Sequence, residues 1–460
     1  MKNFLRPLML LLLFLGFALQ ANAQSSTPEK DPDENYTSPS KEANELFEKT
    51  VIGYHNDQYK ESLPGFDKVI ELDPNHYIAY RKRGYAKNQT GDTNGALEDV
   101  NKALQLSPNY KKAYLNRSDY KLALGDLQGA QEDLEKILKI DPKYSNAYVY
   151  MGDFKIKSQD LKGAMVLYDK AISLDPKNSS AFASRGTCKL DLGQYKEAIK
   201  DLSSAINLDP EYSYAYAMRG NSKFQLGDHS GALLDFDKAV EVDPKNVVAY
   251  MERASVRYNK KEYLDAVKDY NKAIELDPEN VEAYYFRGAA VHDMEDYSGA
   301  IIDFNKTIEL DPKHSDAYNA RGNCKRELED LNGAILDFNK ALELDAKNHY
   351  AYLNRGLALA QKDLDSAAIV DYNKALELSP KNAFVYRIRG ISYGDMGDFK
   401  QALQDLTTSA EIDPTDPTTF FYKGLAESEL NKKKAACTSF NKAKELGDTD
   451  AQELIDEMCK

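Results

Sequence analysis

Nine arginines recur in this sequence at a spacing that could build ion pairs: Arg83, Arg117, Arg185, Arg219, Arg253, Arg287, Arg321, Arg355 and Arg389. Sixteen residues after each comes an aspartate: Asp99, Asp133, Asp201, Asp235, Asp269, Asp303, Asp337, Asp371 and Asp405. A carboxylate accepts two parallel N–H bonds from a guanidinium, so the chemistry suits a bidentate bridge. The exceptions test it. Met151 is followed at the same distance by Leu167, Lys423 by Ser439 and Lys49 by Gly65. Arginine and aspartate are therefore present together or absent together. Pairing between neighbouring units fails this test, because Asp133 would then face Met151. The expectation is a bridge within each unit that fixes register more than it adds stability, since desolvation offsets much of the attraction. A row of ligand-binding arginines is the less favoured reading. Lys87, Lys121, Lys155, Lys189, Lys223 and Lys325 form a further row, four residues beyond the arginine slot. The sequence supplies no reason for them.

Other residues with chemical potential do not converge. The six histidines, His55, His76, His229, His292, His314 and His349, are scattered. None forms HExxH or stands beside a cysteine pair at metal-ligand spacing. No Walker loop or GxSxG nucleophile elbow is read in the sequence. No catalytic residue, cofactor or metal ligand is assigned. Cys188 and Cys324 share one slot four units apart and read as buried free thiols. Cys437 and Cys459 fall on helices that should pack together, so a disulfide and two free thiols are both open.

These residues are carried by a period of 34. Pro74, Pro108, Pro142, Pro176, Pro210, Pro244, Pro278 and Pro312 follow it, Ala346 takes the next slot, and Pro380 and Pro414 resume. An aromatic recurs from Tyr80 to Phe420, a small residue four positions later from Gly84 to Gly424, and an alanine from Ala96 to Ala436. Small residues on two facing helices let their backbones approach, and the aromatic fills the space beside them. Gly91, Gly125, Gly193, Gly227 and Gly397 fall between the two apolar-periodic stretches, where glycine ends a helix. Asp92, Asp126, Asp228 and Asp398 follow and can cap the next helix. Asp-Pro or Ser-Pro ends the second helix.

Each unit thus reads as helix–turn–helix, and the pattern resembles the tetratricopeptide repeat. The fit covers about twelve units within residues 43–450, the first degenerate, with residues 451–460 as a capping helix. The resemblance implies an all-α, right-handed superhelical α-solenoid that binds a protein or peptide ligand in a concave groove lined by the first helices. The expected groove residues are Tyr214, Met218, Asn221, Phe224, Met251, Tyr258, Tyr285, Phe286, His292, Tyr350, Phe384 and Arg387. They vary between units, which a purely folding role does not require. The chaperone-tail clamp of some members needs Lys and Asn at set positions. Here Arg81, Tyr85, Asn116, Asn146 and Tyr150 break it.

The remaining sequence bounds the setting. Lys2 and Arg6, the apolar run Leu8 to Leu19 and Ala21-Asn22-Ala23 read as a signal peptide, residues 1–23. That run is short for a membrane span. Residues 24–42, rich in Pro, Ser and acidic residues, read as a disordered tether. A net charge of −14 opposes binding to nucleic acid or anionic membrane. Solenoid, tether and cap leave no room for a catalytic domain of roughly 50 residues. The expectation is an exported, periplasmic or secreted scaffold or adaptor, most simply bacterial, and not an enzyme. A periplasmic chaperone holding unfolded chains is the alternative.

Overall fold

The computed structural model describes residues 35–459; the expected signal segment and residues 24–34 lie outside them. The described residues form twelve helix pairs, from Lys41–His55 with Tyr59–Leu72 to Pro417–Glu429 with Lys433–Glu445, and a last helix, Ala451–Met458. No strand occurs among them. The chain divides into two compact units, one up to Val256 and one from Arg257 on, and each is an all-α stack of such pairs.

Side chains fix the helix ends. Before the second helix, a carboxylate accepts from the N–H three residues on, as Asp228 does from Gly231 at 2.9 Å. Before the first helix the cap is Asn178, Asn280, Asn348 or Asn382, and at two positions a histidine Nδ1: His76 accepts from Ala79 at 3.2 Å and His314 from Ala317 at 3.1 Å. At the far end the Asp-Pro pair closes its own turn, with Asp243 Oδ1 accepting from Lys245 N–H at 2.9 Å. Between the paired helices the backbone turns left-handed in all twelve cases. Glycine does this at Gly91, Gly125, Gly193, Gly227 and Gly397, but Asp57, Gln159, Lys261, Glu295, Glu329, Asp363 and Asn431 do it elsewhere. A non-glycine residue pays about 1–2 kcal/mol there, which the packed pair around it must offset.

The recurring alanines are fully buried in every second helix from Ala96 to Ala436. The small slot of the first helix receives the side chain that follows the paired aspartate. A Cβ on Gly220 would lie 2.8 Å from the Phe236 ring and one on Gly356 2.4 Å from the Tyr372 ring. Gly390 to Gly394, Gly-Ile-Ser-Tyr-Gly, fits the GxSxG spacing but lies inside the helix Ala383–Asp395, with Ser392 buried. It makes no nucleophile elbow.

The tether expectation needs correction at its end. The first helix begins at Lys41, capped by Ser40, whose hydroxyl accepts from Ala43 N–H at 3.2 Å. Ser38 is buried, and the Tyr36 hydroxyl donates to Asp73 at 2.7 Å. Tyr36 also lies against His76 and Tyr77, at 4.9 and 5.3 Å between ring centres. One aromatic residue gives this stretch something to bury. At the other end Leu454, Ile455 and Met458, together with Phe421 and Leu425, pack against a buried cluster that includes Ala436, Phe440 and Ala443. A disulfide joins Cys437 to Cys459. Cys188 and Cys324 are buried free thiols, and burial pushes both up to about 12.

Candidate functional site

The arginine row shows how the first helices are held. Within the first unit, Arg83–Asp99, Arg117–Asp133, Arg185–Asp201 and Arg219–Asp235 are all bidentate. In Arg219, Nε donates at 2.9 Å and an Nη at 2.7 Å. In the second unit Arg287–Asp303, Arg321–Asp337, Arg355–Asp371 and Arg389–Asp405 repeat the geometry. Arg253 and Asp269 fall in different units and are described by their own partners. Arg253 donates to Asp237 at 2.7 Å, and Asp269 accepts from Arg257 at 2.7 Å.

Two features of this network were not read from the sequence. Each arginine also reaches back to the second helix of the preceding repeat, sixteen residues earlier, as Arg185 does to Asp169 at 2.7 Å and Arg321 to Asn305 at 2.7 Å. The eight bidentate arginines therefore tie three helices each, and all nine guanidiniums lie 5.2 to 5.6 Å from the ring three residues before them. The lysine row has its reason here too. Lys87, Lys121, Lys189, Lys223 and Lys325 share the same aspartates at 2.7 to 2.9 Å. Lys155, in the repeat whose aspartate is Leu167, turns instead to Asp160 at 3.3 Å. These charges are consumed by the fold.

The expected groove residues separate into two groups. Met218, Asn221, Met251 and Phe286 are buried, so they pack the stack and do not line an open face; the expectation is corrected there. A first helix has other first helices along both flanks, and residues aimed at a flank are covered by the neighbour. The others remain partly open. Tyr214 shares a hydrogen bond with Thr187 at 3.2 Å, and Phe224 lies edge-on to His229 at 5.2 Å. In the second unit the Tyr258 hydroxyl donates to Asp293 at 2.6 Å. His292 Nδ1 is 3.1 Å from Asp293, and its Nε2 is 3.0 Å from the Asn323 amide. Burial pulls the Asp293 carboxyl up, but the bonds from His292 and Tyr258 outweigh it and hold that carboxyl below the usual range. Tyr285 lies on His314 at 4.7 Å, Tyr350 on His349 at 3.9 Å, and Arg387 bonds Asp416 at 2.6 Å while covering the Phe384 ring at 4.9 Å. Phe384, 39 % exposed, is the most open aromatic of the set.

Models of the tetratricopeptide repeat match residues 121–186, 185–247, 254–295, 281–314, 322–363 and 349–382. The chain belongs to the tetratricopeptide-repeat family. No curated protein sequence matches it. Among solved structures, a chain of the APC/C hetero-tetramer Cut9–Hcn1 is 16 % identical, covering 84 % of this chain and 96 % of that one, with a TM-score of 0.47. Yeast Tom70 is 19 % identical over 90 % and 94 %, TM-score 0.39. YrrB, described as a TPR protein with an unusual peptide-binding site, is 24 % identical over 40 % and 95 %, TM-score 0.36.

This tetratricopeptide-repeat chain carries a second group of first-helix residues that the sequence reading did not select. Asp119 and Asp153 occupy one slot in successive repeats, with Tyr85 one repeat before them. Burial, with the charge of Asp153 adding to it and that of Lys157 opposing it, pushes the Asp119 carboxyl well above the usual range. Burial alone pushes Asp191 and Glu252 up to about 7. The signal was present in the slot itself, which changes from repeat to repeat, while the position two places earlier is arginine in nine repeats. Among the described residues no group of His, Cys, Asp and Glu converges as metal ligands would, and no helix is long and apolar enough to cross a membrane.

Proposed function

We propose that this protein is an exported scaffold or adaptor that holds a protein or peptide ligand along the concave strip of its first helices. Membership of the tetratricopeptide-repeat family makes protein interaction the general role. The observation that carries the particular reading is the contrast between slots. Alanine, glycine, arginine and aspartate recur where the helices pack, whereas the partly open first-helix positions hold Tyr214, Tyr258, Tyr285, His292, Tyr350 and Phe384 in no repeating order. Large aromatic side chains of this kind are common anchors for a partner. Export rests on the positive, apolar and small-residue segments of residues 1–23, and the Cys437–Cys459 bond suits an oxidising compartment. The recurring arginines, their paired aspartates and the first-helix lysines beside them are used in packing, which takes them out of any catalytic role.

A photo-crosslinking residue at Phe384 in the native host tests the reading. The expected result is one dominant adduct that disappears when the probe is moved to exposed Lys268 on a second helix. A broad mixture of unfolded chains would replace the adaptor with a holdase. No adduct at Phe384 would refute use of this strip. Amino-terminal sequencing of the mature protein should begin at Gln24; a retained Met1 would refute export by this segment.

A further inference from the structure

Four buried side-chain atoms among the described residues lack a hydrogen-bond partner: Asp119 Oδ1, Tyr120 Oη, His229 Nδ1 and Arg326 Nε. Two of the four sit on consecutive residues of one first helix, Lys111–Ala123. Tyr120 is only 2 % exposed, and the groups that act on its hydroxyl are Tyr54, Arg81, Asp119 and Tyr85. Asp119 is acted on by Asp153, which adds to its proton affinity, and by Lys157, which lowers it without bonding to Oδ1. Tyr150 stands in the field of both carboxylates. Asp153 is better supplied, since the Tyr168 hydroxyl donates to it at 2.7 Å.

Cations of neighbouring first helices show what such rings accept. Lys82 Nζ lies 4.9 Å over the Tyr54 ring, Lys111 Nζ 4.7 Å over Tyr144, and Arg81 Cζ 5.7 Å over Tyr110. Cations on tyrosine rings are the local rule. Around Asp119, Asp153 and Tyr150 the carboxylates and ring are present, and Oδ1 has no donor. A buried carboxylate oxygen without a donor costs stability. Packing does not demand it, because the same slot holds Thr187, Asn221 and Ser255 in the next three repeats.

We propose that the first-helix face around Asp119, Asp153 and Tyr150 receives a lysine or arginine side chain of a partner peptide. The proposal rests on the concave-strip reading above and names the chemistry of the ligand. A cationic side chain supplies the missing donor to Asp119 Oδ1, charge for two carboxylates and a face for the tyrosine ring. An anion would meet two carboxylates, and an apolar side chain would leave Oδ1 as it is.

The test uses the full chain and a fluorescein-labelled peptide of three Gly-Lys-Gly-Arg units, with a counterpart carrying Gln for Lys and Arg. Anisotropy at fixed ionic strength should show the basic peptide bound and the Gln peptide at least about tenfold weaker, the worth of one charge-assisted contact. Asp119→Asn with Asp153→Asn should cost the basic peptide about tenfold or more. Glu132→Gln with Glu135→Gln removes the same charge from exposed positions of the same repeat and should cost less than about twofold. Equal weakening by the two pairs would mean attraction to net charge alone and would overturn the proposal, as would equal binding of the two peptides. Asp119→Asn alone is the safer variant, because Asn221 fills that slot naturally, and it should melt no lower than the parent. A partner crosslinked at Phe384 as strongly in the double aspartate variant, with no preference for the basic peptide, would leave the strip reading intact and sink this one.

Discussion

Asp337→Ala should be among the most damaging single substitutions in the second unit. Three charge-assisted contacts end on this carboxylate: Arg321 Nε at 2.9 Å, an Arg321 Nη at 2.6 Å and Lys325 Nζ at 2.8 Å. Its side chain is 7 % exposed, so water does not replace them, whereas Arg321 is 18 % exposed and Lys325 24 %. Removing one partner of a buried pair costs about 3–5 kcal/mol, and the partly open cations place this case near 3. Removing both partners should cost far less. Arg321→Met with Asp337→Leu reproduces Met151 and Leu167, a combination the fourth repeat already folds with. Lys325 would then turn to Asp330, as Lys155 does to Asp160 at 3.3 Å. The double variant should lose no more than about 1.5 kcal/mol. The assay is native-state hydrogen exchange at the amides of Ser315–Glu327 and Leu331–Leu344, because a repeat array need not unfold in one step. A difference of about 1.5–2 kcal/mol between the variants means exchange in Asp337→Ala faster than in the double by roughly 10- to 30-fold. If Asp337→Ala exchanges no faster than the double variant, stranded charge is not what the bridge guards against, and the reasoning fails.

Other consequences can be checked more briefly. Gly356→Ala would set a Cβ 2.4 Å from the Tyr372 ring, and that ring is too buried to swing away, so urea unfolding should report a loss of about 1–3 kcal/mol. Denatured, unreduced protein should show two reactive thiols and reduced protein four; Cys437→Ser should weaken the last helix by about 3 kcal/mol, read as faster exchange at Ala451–Met458. Burial holds the His76 imidazole below its ordinary value, against the opposing charge of Asp73. The unfolded chain then binds that proton more tightly, so the stability His76 contributes is whole above pH about 6.5 and is lost as pH falls through the lowered value. His76→Asn, the residue at other first-helix caps, should flatten the fall in melting temperature between pH 7 and 5, and an unchanged slope would refute the role of His76.

The period, the small slots and the ion pairs could be read because eleven copies of one unit stand in a single chain. Arg83 with Asp99 alone says little, but Met151 with Leu167 shows that the two positions change together. The lysines were illegible for the opposite reason. Lys155 persists in the repeat without an aspartate, and only the coordinates show it turning to Asp160. The backward contact of each arginine was hidden because its slot is mixed, holding Asp169, Ser203, Asn271 and Asn305 among others. Seven turns lack the glycine that marks the other five, since stacking can hold Lys261 or Glu329 left-handed where local preference would not.

The partly open positions of the first helices were the hardest part to read, and the reason is geometric. A 34-residue period fixes which residues of a first helix meet its own second helix. It does not fix how far each pair rotates on the last, and that rotation decides whether a first-helix residue looks at a neighbour or at solvent. Met218 and Met251 fell on the covered side, while Phe384 stayed open. Satisfaction of polar atoms discriminates where position does not. Asp337 takes three charge-assisted donors, and aspartate occurs in that slot wherever arginine does, so packing accounts for it fully. Asp119 takes no donor at Oδ1, sits beside a buried tyrosine hydroxyl in the same state, and occupies a slot that tolerates Thr187, Asn221 and Ser255. A group that the fold neither needs nor satisfies is the kind that a ligand must complete.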